Sequence, residues 1–216
     1  MFRFKVCCIK NVNEANLAID YGASTLGLVS QMPSGPGPIP IDLIRRIAEA
    51  VKGQVQTWVL TSKTTSREII NEYQQVKTDG IQLVDEVPED DCREIKLKFP
   101  HVHLVQVRHV QKNSSAAKLS KVNPYINTIL LDSGSPNNAV KILGGTGNVH
   151  DWNISQDIIS HAQVPVYLAG GLHPNNALAA IRDTKPHGLD VCSGLRTNGY
   201  LDPNKLKRWS DILARM

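Results

Sequence analysis

Short runs of apolar and β-branched residues alternate along this chain with longer stretches in which apolar residues recur every three or four positions. The runs are FRFKVCCI (2–9), STLGLVS (24–30), VQTWVLTS (55–62), GIQLV (80–84), VHLVQVRHV (102–110), INTILLDS (126–133), VPVYLAG (164–170) and GLDVCSG (188–194). Most are continuously apolar, which is how strands covered on both faces read. The intervening stretches 13–22, 40–53, 66–80, 88–99, 115–122, 155–162, 174–183 and 202–216 read as helices. In 40–53, Leu43, Ile44, Ile47, Ala48 and Val51 share one face, Pro40 stands at the entry and Gly53 at the exit. Ser66 or a neighbour caps 66–80, and acidic or polar residues open several other helices, as the helix dipole favours.

Strands that alternate with helices pair in parallel through right-handed crossovers. Eight such units predict an α/β fold closed into a single-domain (β/α)8 barrel spanning 1–216. The alternative is an open doubly wound sheet, but no G-x-G-x-x-G follows a strand and opens a helix. QMPSGPGPIP (31–40) and SGSPNNAVKILGGTGNVHDW (133–152) are the only long breaks in the rhythm.

Composition narrows the class. The 216 residues are 41% hydrophobic, too apolar for disorder, and a net charge of +4 is spread along the chain without a basic block. That balance suits a phosphorylated small molecule and gives no footprint for nucleic acid. No run of eighteen apolar residues predicts a membrane span, and MFRFKVCCIK lacks the features of a signal peptide. Cys7, Cys8, Cys92 and Cys192 form neither a disulfide framework nor a zinc pattern. These features predict a reduced, cytoplasmic protein.

A (β/α)8 barrel gathers its chemistry at the C-terminal ends of the strands. Those ends carry Cys7-Cys8, Arg108-His109, Asp132, Gly170-Gly171 and Ser193-Gly194. LAGGL (168–172) and CSGL (192–195) put small residues where backbone must approach a ligand, at the usual phosphate site of the fold. GGTG (144–147), with Gly145, Thr146 and Gly147, is a third glycine loop that can fold over the same phosphate or act as a lid. Cys7 is a candidate base or nucleophile, or a small apolar filler; of Cys7 and Cys8, only one can face the barrel. Asp132 closes an apolar run, so it is a candidate general acid or a cap for the next loop. Arg108 or His109 is suited to an anionic group on a substrate, or to a solvated strand end. Asp190, inside an apolar run, pairs with a basic neighbour or orients a catalytic group. The cluster His150-Asp151-Trp152 lacks further ligands at metal spacing, and Trp58, Trp152 and Trp209 read as packing residues.

Several of these segments resemble one known family. KVCCI (5–9) resembles the K-[VI]-C-G-I opening of phosphoribosylanthranilate isomerases. ILLDS (129–133), GGTGNVHDW (144–152), LAGGLHPNN (168–176), LDVCSG (189–194) and DPNKLKRW (202–209) are similar to the later motifs of that family, in order. The resemblance covers nearly the whole chain. It implies an Amadori rearrangement of N-(5-phosphoribosyl)anthranilate in tryptophan biosynthesis, with neither metal nor organic cofactor, in a monomer or homodimer. It carries the general base onto Cys7 and the general acid onto Asp132. It places phosphate on Gly170, Gly171, Ser193 and Gly194, with the GGTG loop.

The chain also departs from that pattern. The family has S-P-R after the second strand, where arginine meets the anthranilate carboxylate; PSGPGPIP (33–40) has no arginine. Val84 stands where the family has histidine, Cys8 where it has glycine, and Arg196 where it has glutamate. A lost charge-assisted contact costs roughly 1.5–3 kcal/mol unless replaced, and Arg108 and Arg196 are the candidate replacements. The alternatives are an isomerase or epimerase of another phosphosugar, or a barrel that binds a phosphometabolite without turnover.

Overall fold

The computed structural model describes residues 2–33, 35–133 and 151–215. Its strands are β1 (Phe4–Val6), β2 (Thr25–Val29), β3 (Gln56–Thr61), β4 (Gly80–Leu83), β5 (His103–His109), β6 (Thr128–Asp132), β7 (Val166–Leu168) and β8 (Gly188–Val191). They pair in parallel and in sequence order, and β8 returns to β1 to close the barrel. The helices that follow each strand are α1 (Val12–Asp20), α2 (Ile41–Ala50), α3 (Ser66–Val76), α4 (Glu89–Lys98), α5 (Ala116–Leu119), α6 (Trp152–His161), α7 (Ala177–Thr184) and α8 (Pro203–Leu213). The expected (β/α)8 architecture is therefore the observed one, and the open sheet is excluded.

Local chemistry sets the element ends. Asn11, Thr65 and Asp202 accept N–H bonds from the first turns of α1, α3 and α8, so Thr65 rather than Ser66 is the cap. The run 2–9 yields only a short β1 because Cys8 turns the chain at φ 62°. After β8 the chain makes a 3₁₀ turn at Ser193–Leu195, then a hairpin, β9 (Arg196–Thr197) with β10 (Tyr200–Leu201). Asn198-Gly199 turns that hairpin, both residues at positive φ. This Asn-Gly pair is a strong hairpin signal that the helix–strand rhythm hides.

Alternation along each strand separates two buried sets. Phe4, Val6, Leu26, Leu28, Ile81, Leu83, Leu104, Ile129, Leu131, Leu168 and Leu189 face the helices and form the main core with Trp209. Trp58, Leu60, Val105, Val107, Leu130 and Tyr167 fill the barrel itself. Trp58 and Tyr167 meet edge to face at 5.5 Å, and neighbouring strands make room for them with glycine. A Cβ at Gly80 would lie 2.7 Å from the Trp58 ring, and one at Gly188 2.6 Å from Tyr167. Such filled interiors make the barrel a packed core, so its open chemistry is confined to the strand ends.

Candidate active site

The inward positions at the C-terminal mouth carry most of the predicted residues. On β1 and the turn after it, Lys5 and Cys7 follow the inward parity; on β8, Asp190 and Cys192 do, and Asp132 ends β6. Lys5 and Asp190 pair across the β1–β8 seam at 2.8 Å, both buried. Burial opposes the charge on Lys5, but Asp190, Cys7 and Cys8 outweigh it and raise the ammonium's pKa. Burial pushes the Asp190 carboxyl up while Lys5 holds it down. Asp190 Oδ1 is buried with no partner among the described residues, so one carboxylate oxygen is spare at the mouth. This places Asp190 with a basic neighbour, one of its two expected roles.

Cys7 sits over Gly27 of β2. A Cβ there would come within 2.9 Å of Lys5 Nζ and 3.0 Å of Cys7 Sγ, so both side chains depend on that missing methyl. Asp132 is half-buried, and the Ser133 N–H donates to its Oδ1 at 2.7 Å. Burial raises the Asp132 pKa, Asp190 adds to the rise, and the Ser133 bond, His109 and Lys5 oppose it. A carboxyl that keeps its proton above the usual range has the property a general acid needs.

The loops after β7 and β8 meet backbone to backbone. Gly170 and Gly171 are both left-handed, at φ 83° and 62°. A Cβ at Gly194 would stand 1.9 Å from the Leu172 carbonyl, so only glycine lets the two turns touch. Among the described residues, the N–H groups of Gly170 and Gly171 have no backbone acceptor. Asn176 staples the first loop, donating to the Gly171 carbonyl at 3.0 Å and accepting the His173 N–H at 2.8 Å. Gly145, Thr146, Gly147 and His150 lie outside the described residues.

Both candidate replacements for the missing arginine require correction. Arg108 shares its face of β5 with Leu104 and Gln106 and points away from the barrel. It pairs with Glu86 at 3.2 Å, donates to the Lys121 carbonyl and lines an outer cleft of about 510 Å³. Arg196 is committed to the scaffold. It binds Glu14 at 3.0 Å and donates to the carbonyls of Cys7 and Cys8, at 3.2 and 2.5 Å. Glu14 also accepts the N–H groups of Lys10 and Leu201. Burial works against the Glu14 charge, yet Arg196 and these N–H donors lower its pKa. Arg196 thus braces the turn that carries Cys7.

The residue that faces the mouth from β5 is His109. Its Nε2 meets the Val84 carbonyl at 3.2 Å, and its Nδ1 is buried without a partner among the described residues. Parity was the available signal: an inward Val105 and Val107 put His109, not Arg108, on the barrel side. Among the described residues, no group of three His, Cys, Asp or Glu side chains is arranged to hold a metal ion, and no helix is long and apolar enough to cross a membrane.

Comparison with known proteins agrees with this geometry. The family model of N-(5'-phosphoribosyl)anthranilate (PRA) isomerase matches residues 4–211. An N-(5'-phosphoribosyl)anthranilate isomerase of Gloeothece citriformis is 32% identical over 215 residues, 99% of this chain and 94% of the relative. One of Methanocella arvoryzae is 31% identical over 195 residues, 90% of this chain and 89% of the relative. A phosphoribosyl anthranilate isomerase structure from Thermococcus kodakaraensis superposes with a TM-score of 0.83 over the full length of both chains, at 24% identity. With a barrel mouth of this kind and a match that runs through every strand, the chain belongs to the N-(5'-phosphoribosyl)anthranilate isomerase family.

Proposed function

We propose that this enzyme converts N-(5-phosphoribosyl)anthranilate to 1-(2-carboxyphenylamino)-1-deoxyribulose 5-phosphate, with Asp132 as general acid and Cys7 as general base. Asp132 gives its proton to the furanose oxygen, the ring opens, and the anthranilate nitrogen becomes an iminium. Cys7 takes the proton from C2, and the electrons move into that iminium. The enolamine then tautomerises to the ketone. The substrate is its own electron sink, so the protein supplies proton transfers and fixed geometry.

The observation that carries this reading is the placement of Cys7 and Asp132 on one mouth, with the Asp132 pKa raised. Family membership supports the substrate, as does a related structure, at 22% identity, solved with reduced 1-(o-carboxyphenylamino)-1-deoxyribulose 5-phosphate. Phosphate sits on Gly170, Gly171, Ser193 and Gly194, where two glycine turns touch. The spare Asp190 oxygen accepts a sugar hydroxyl. The anthranilate ring lies over Val29, Leu60, Val84 and Val107, which give the far side of the mouth an apolar floor. The setting is cytoplasmic, and the ligand is this phosphosugar rather than nucleic acid.

A test is turnover of freshly made phosphoribosylanthranilate, followed by anthranilate fluorescence and product mass, in wild type, Cys7→Ser and Asp132→Asn. Turnover in wild type and its loss in both variants is expected. No turnover in wild type, with phosphate still bound, would overturn the substrate. The arginine-free loop 31–40 favours that second reading, a different phosphosugar on the same acid and base.

A further inference from the structure

The proposed chemistry uses one thiol, and the mouth of the barrel holds three. Cys7 and Cys192 stand side by side at the β1–β8 seam, one inward step above Lys5 and Asp190, and the Cys7 N–H donates to the Val191 carbonyl at 2.9 Å. Cys8 is in the left-handed region, which few residues with a Cβ adopt. That turn brings its thiol back over the seam. Its Sγ lies 3.8 Å from Cys7 Sγ, and its thiol interacts with that of Cys192. It also donates to the Pro36 carbonyl at 3.5 Å. Gly37 closes over it, since a Cβ there would stand 2.7 Å from Cys8 Cβ. Pro36 and Gly37 therefore pack directly on the Cys8 side chain.

We propose that Cys8 and Cys192 are an oxidation site, a dithiol that a hydroperoxide converts to a disulfide across the mouth of the barrel. Geometry selects this pair. Adjacent Cα atoms are about 3.8 Å apart, short of the roughly 4.4–6.8 Å that disulfides span, which disfavours Cys7 with Cys8. Cys7 and Cys192 continue the same inward register of β1 and β8, whereas Cys8 stands on the left-handed turn above it. Neighbouring positive charge favours Cys192 as the attacking sulfur. The Cys8 thiol, then Arg196 and Lys5, lower the Cys192 pKa against burial and the charge of Asp190. The same contact, with Cys7 and burial, raises that of Cys8.

The Cys192 thiolate attacks a peroxide oxygen. An S–O bond forms, the O–O bond breaks, and hydroxide or alkoxide leaves. Cys8 sulfur then attacks the sulfenic sulfur, an S–S bond forms, the S–O bond breaks, and water departs with the Cys8 proton. The two thiols lose two electrons and the peroxide gains them. A dithiol reverses the step by exchange. The disulfide ties the end of β8, just before Ser193-Gly194, to the turn that carries Cys7, so turnover stops while it lasts.

The experiment treats the whole protein with graded hydrogen peroxide, then digests it without reduction and measures peptide masses. Wild type is expected to give the Cys192 peptide linked to the Cys7-Cys8 peptide, two hydrogens lighter. Cys7→Ser should still give that link; Cys8→Gly and Cys192→Ser should not. Glycine suits the left-handed position, and serine closely matches cysteine in size, so both variants should fold. Turnover should fall in step with the linked fraction and return with dithiothreitol in wild type only. No link in wild type, or a link that survives Cys8→Gly, would overturn the proposal. The mass readout needs no substrate, so it stands or fails apart from the isomerase reading, on which only the turnover arm rests.

Discussion

The two halves of the barrel mouth are built from different materials. From β6 round to β1 the inward positions are Asp132, Asp190, Cys192, Lys5 and Cys7, with Ala169 between them and glycine turns after β7. From β2 to β5 they are Val29, Leu60, Val84 and Val107, with His109 and, one step deeper, Gln82 as the polar exceptions. The first half is committed through fixed contacts before any ligand arrives: an ion pair at 2.8 Å, a carboxyl held by one N–H, two turns in backbone contact. The second half offers a surface and few directed bonds. Proton transfer needs atoms placed to a fraction of an ångström, whereas an aromatic ring needs area. The difference fits a sequence whose acid, base and glycine turns follow the family pattern while PSGPGPIP, which contacts Cys8 through Pro36 and Gly37, departs from it.

The largest expected effects lie in the committed half. Cys7→Ser and Asp132→Asn should each lower kcat by about a hundredfold to ten-thousandfold, the ordinary worth of a positioned acid or base. Asp132→Asn has a second signature. The folded-state pKa of Asp132 is raised, so the native state holds its proton more tightly than the unfolded chain. Stability is then lost as pH rises from the unfolded value through the folded one. An asparagine cannot ionise, so the variant should melt higher than wild type at neutral pH and match it in acid. Thermal melts across pH 3–8 test this; a variant that melts lower throughout would show that the charged form is the native one.

Next in size is the ion pair beneath the base. Asp190→Leu leaves Lys5 fully buried without its partner, which should cost about 3–5 kcal/mol in urea unfolding. The double variant Lys5→Met/Asp190→Leu should recover most of that loss, because two apolar chains of similar size leave no stranded charge. A double variant as unstable as the single would mean that packing, not charge, dominates the seam. Gly194→Ala is smaller. Its Cβ has no room beside the Leu172 carbonyl, and forced overpacking costs about 1–3 kcal/mol. KM should rise with it, since the two turns must separate.

Much of this was legible in the sequence, for identifiable reasons. Continuous apolar runs and punctuating Gly and Pro located all eight strands and the helices between them, because a parallel barrel buries every strand on both faces. The places of Cys7, Asp132 and the two glycine turns were legible because strand ends are where the fold admits chemistry, and Asp190 because a charge stands out inside an apolar run. Arg196 was not, because its partner Glu14 is remote in sequence and only the closed fold brings them together. The Cys8–Cys192 contact was hidden for the same reason and for another: a left-handed cysteine breaks the parity that assigns only one of two adjacent residues to the barrel. The outward face of Arg108 follows from strand parity, since two steps back from His109 lies Val107 in the barrel and two steps back from Arg108 lies Gln106 outside it.

That pair gives the finest test of the comparison, since two neighbours on one strand belong to opposite faces. Arg108→Ala removes an outward ion pair with an exposed glutamate, worth about 0–1 kcal/mol and remote from the mouth, and should change kcat/KM by no more than about twofold. His109→Ala acts through Asp132. His109 opposes the rise in the Asp132 pKa electrostatically, so its removal lets that pKa climb further. A general acid works only while protonated, so the fall of kcat/KM with rising pH should move to higher pH in His109→Ala and stay in place in Arg108→Ala. Equal profiles in the two variants would remove His109 from the site. A shift in Arg108→Ala alone would mean that the outward face of β5, and not its inward one, reaches the reacting groups.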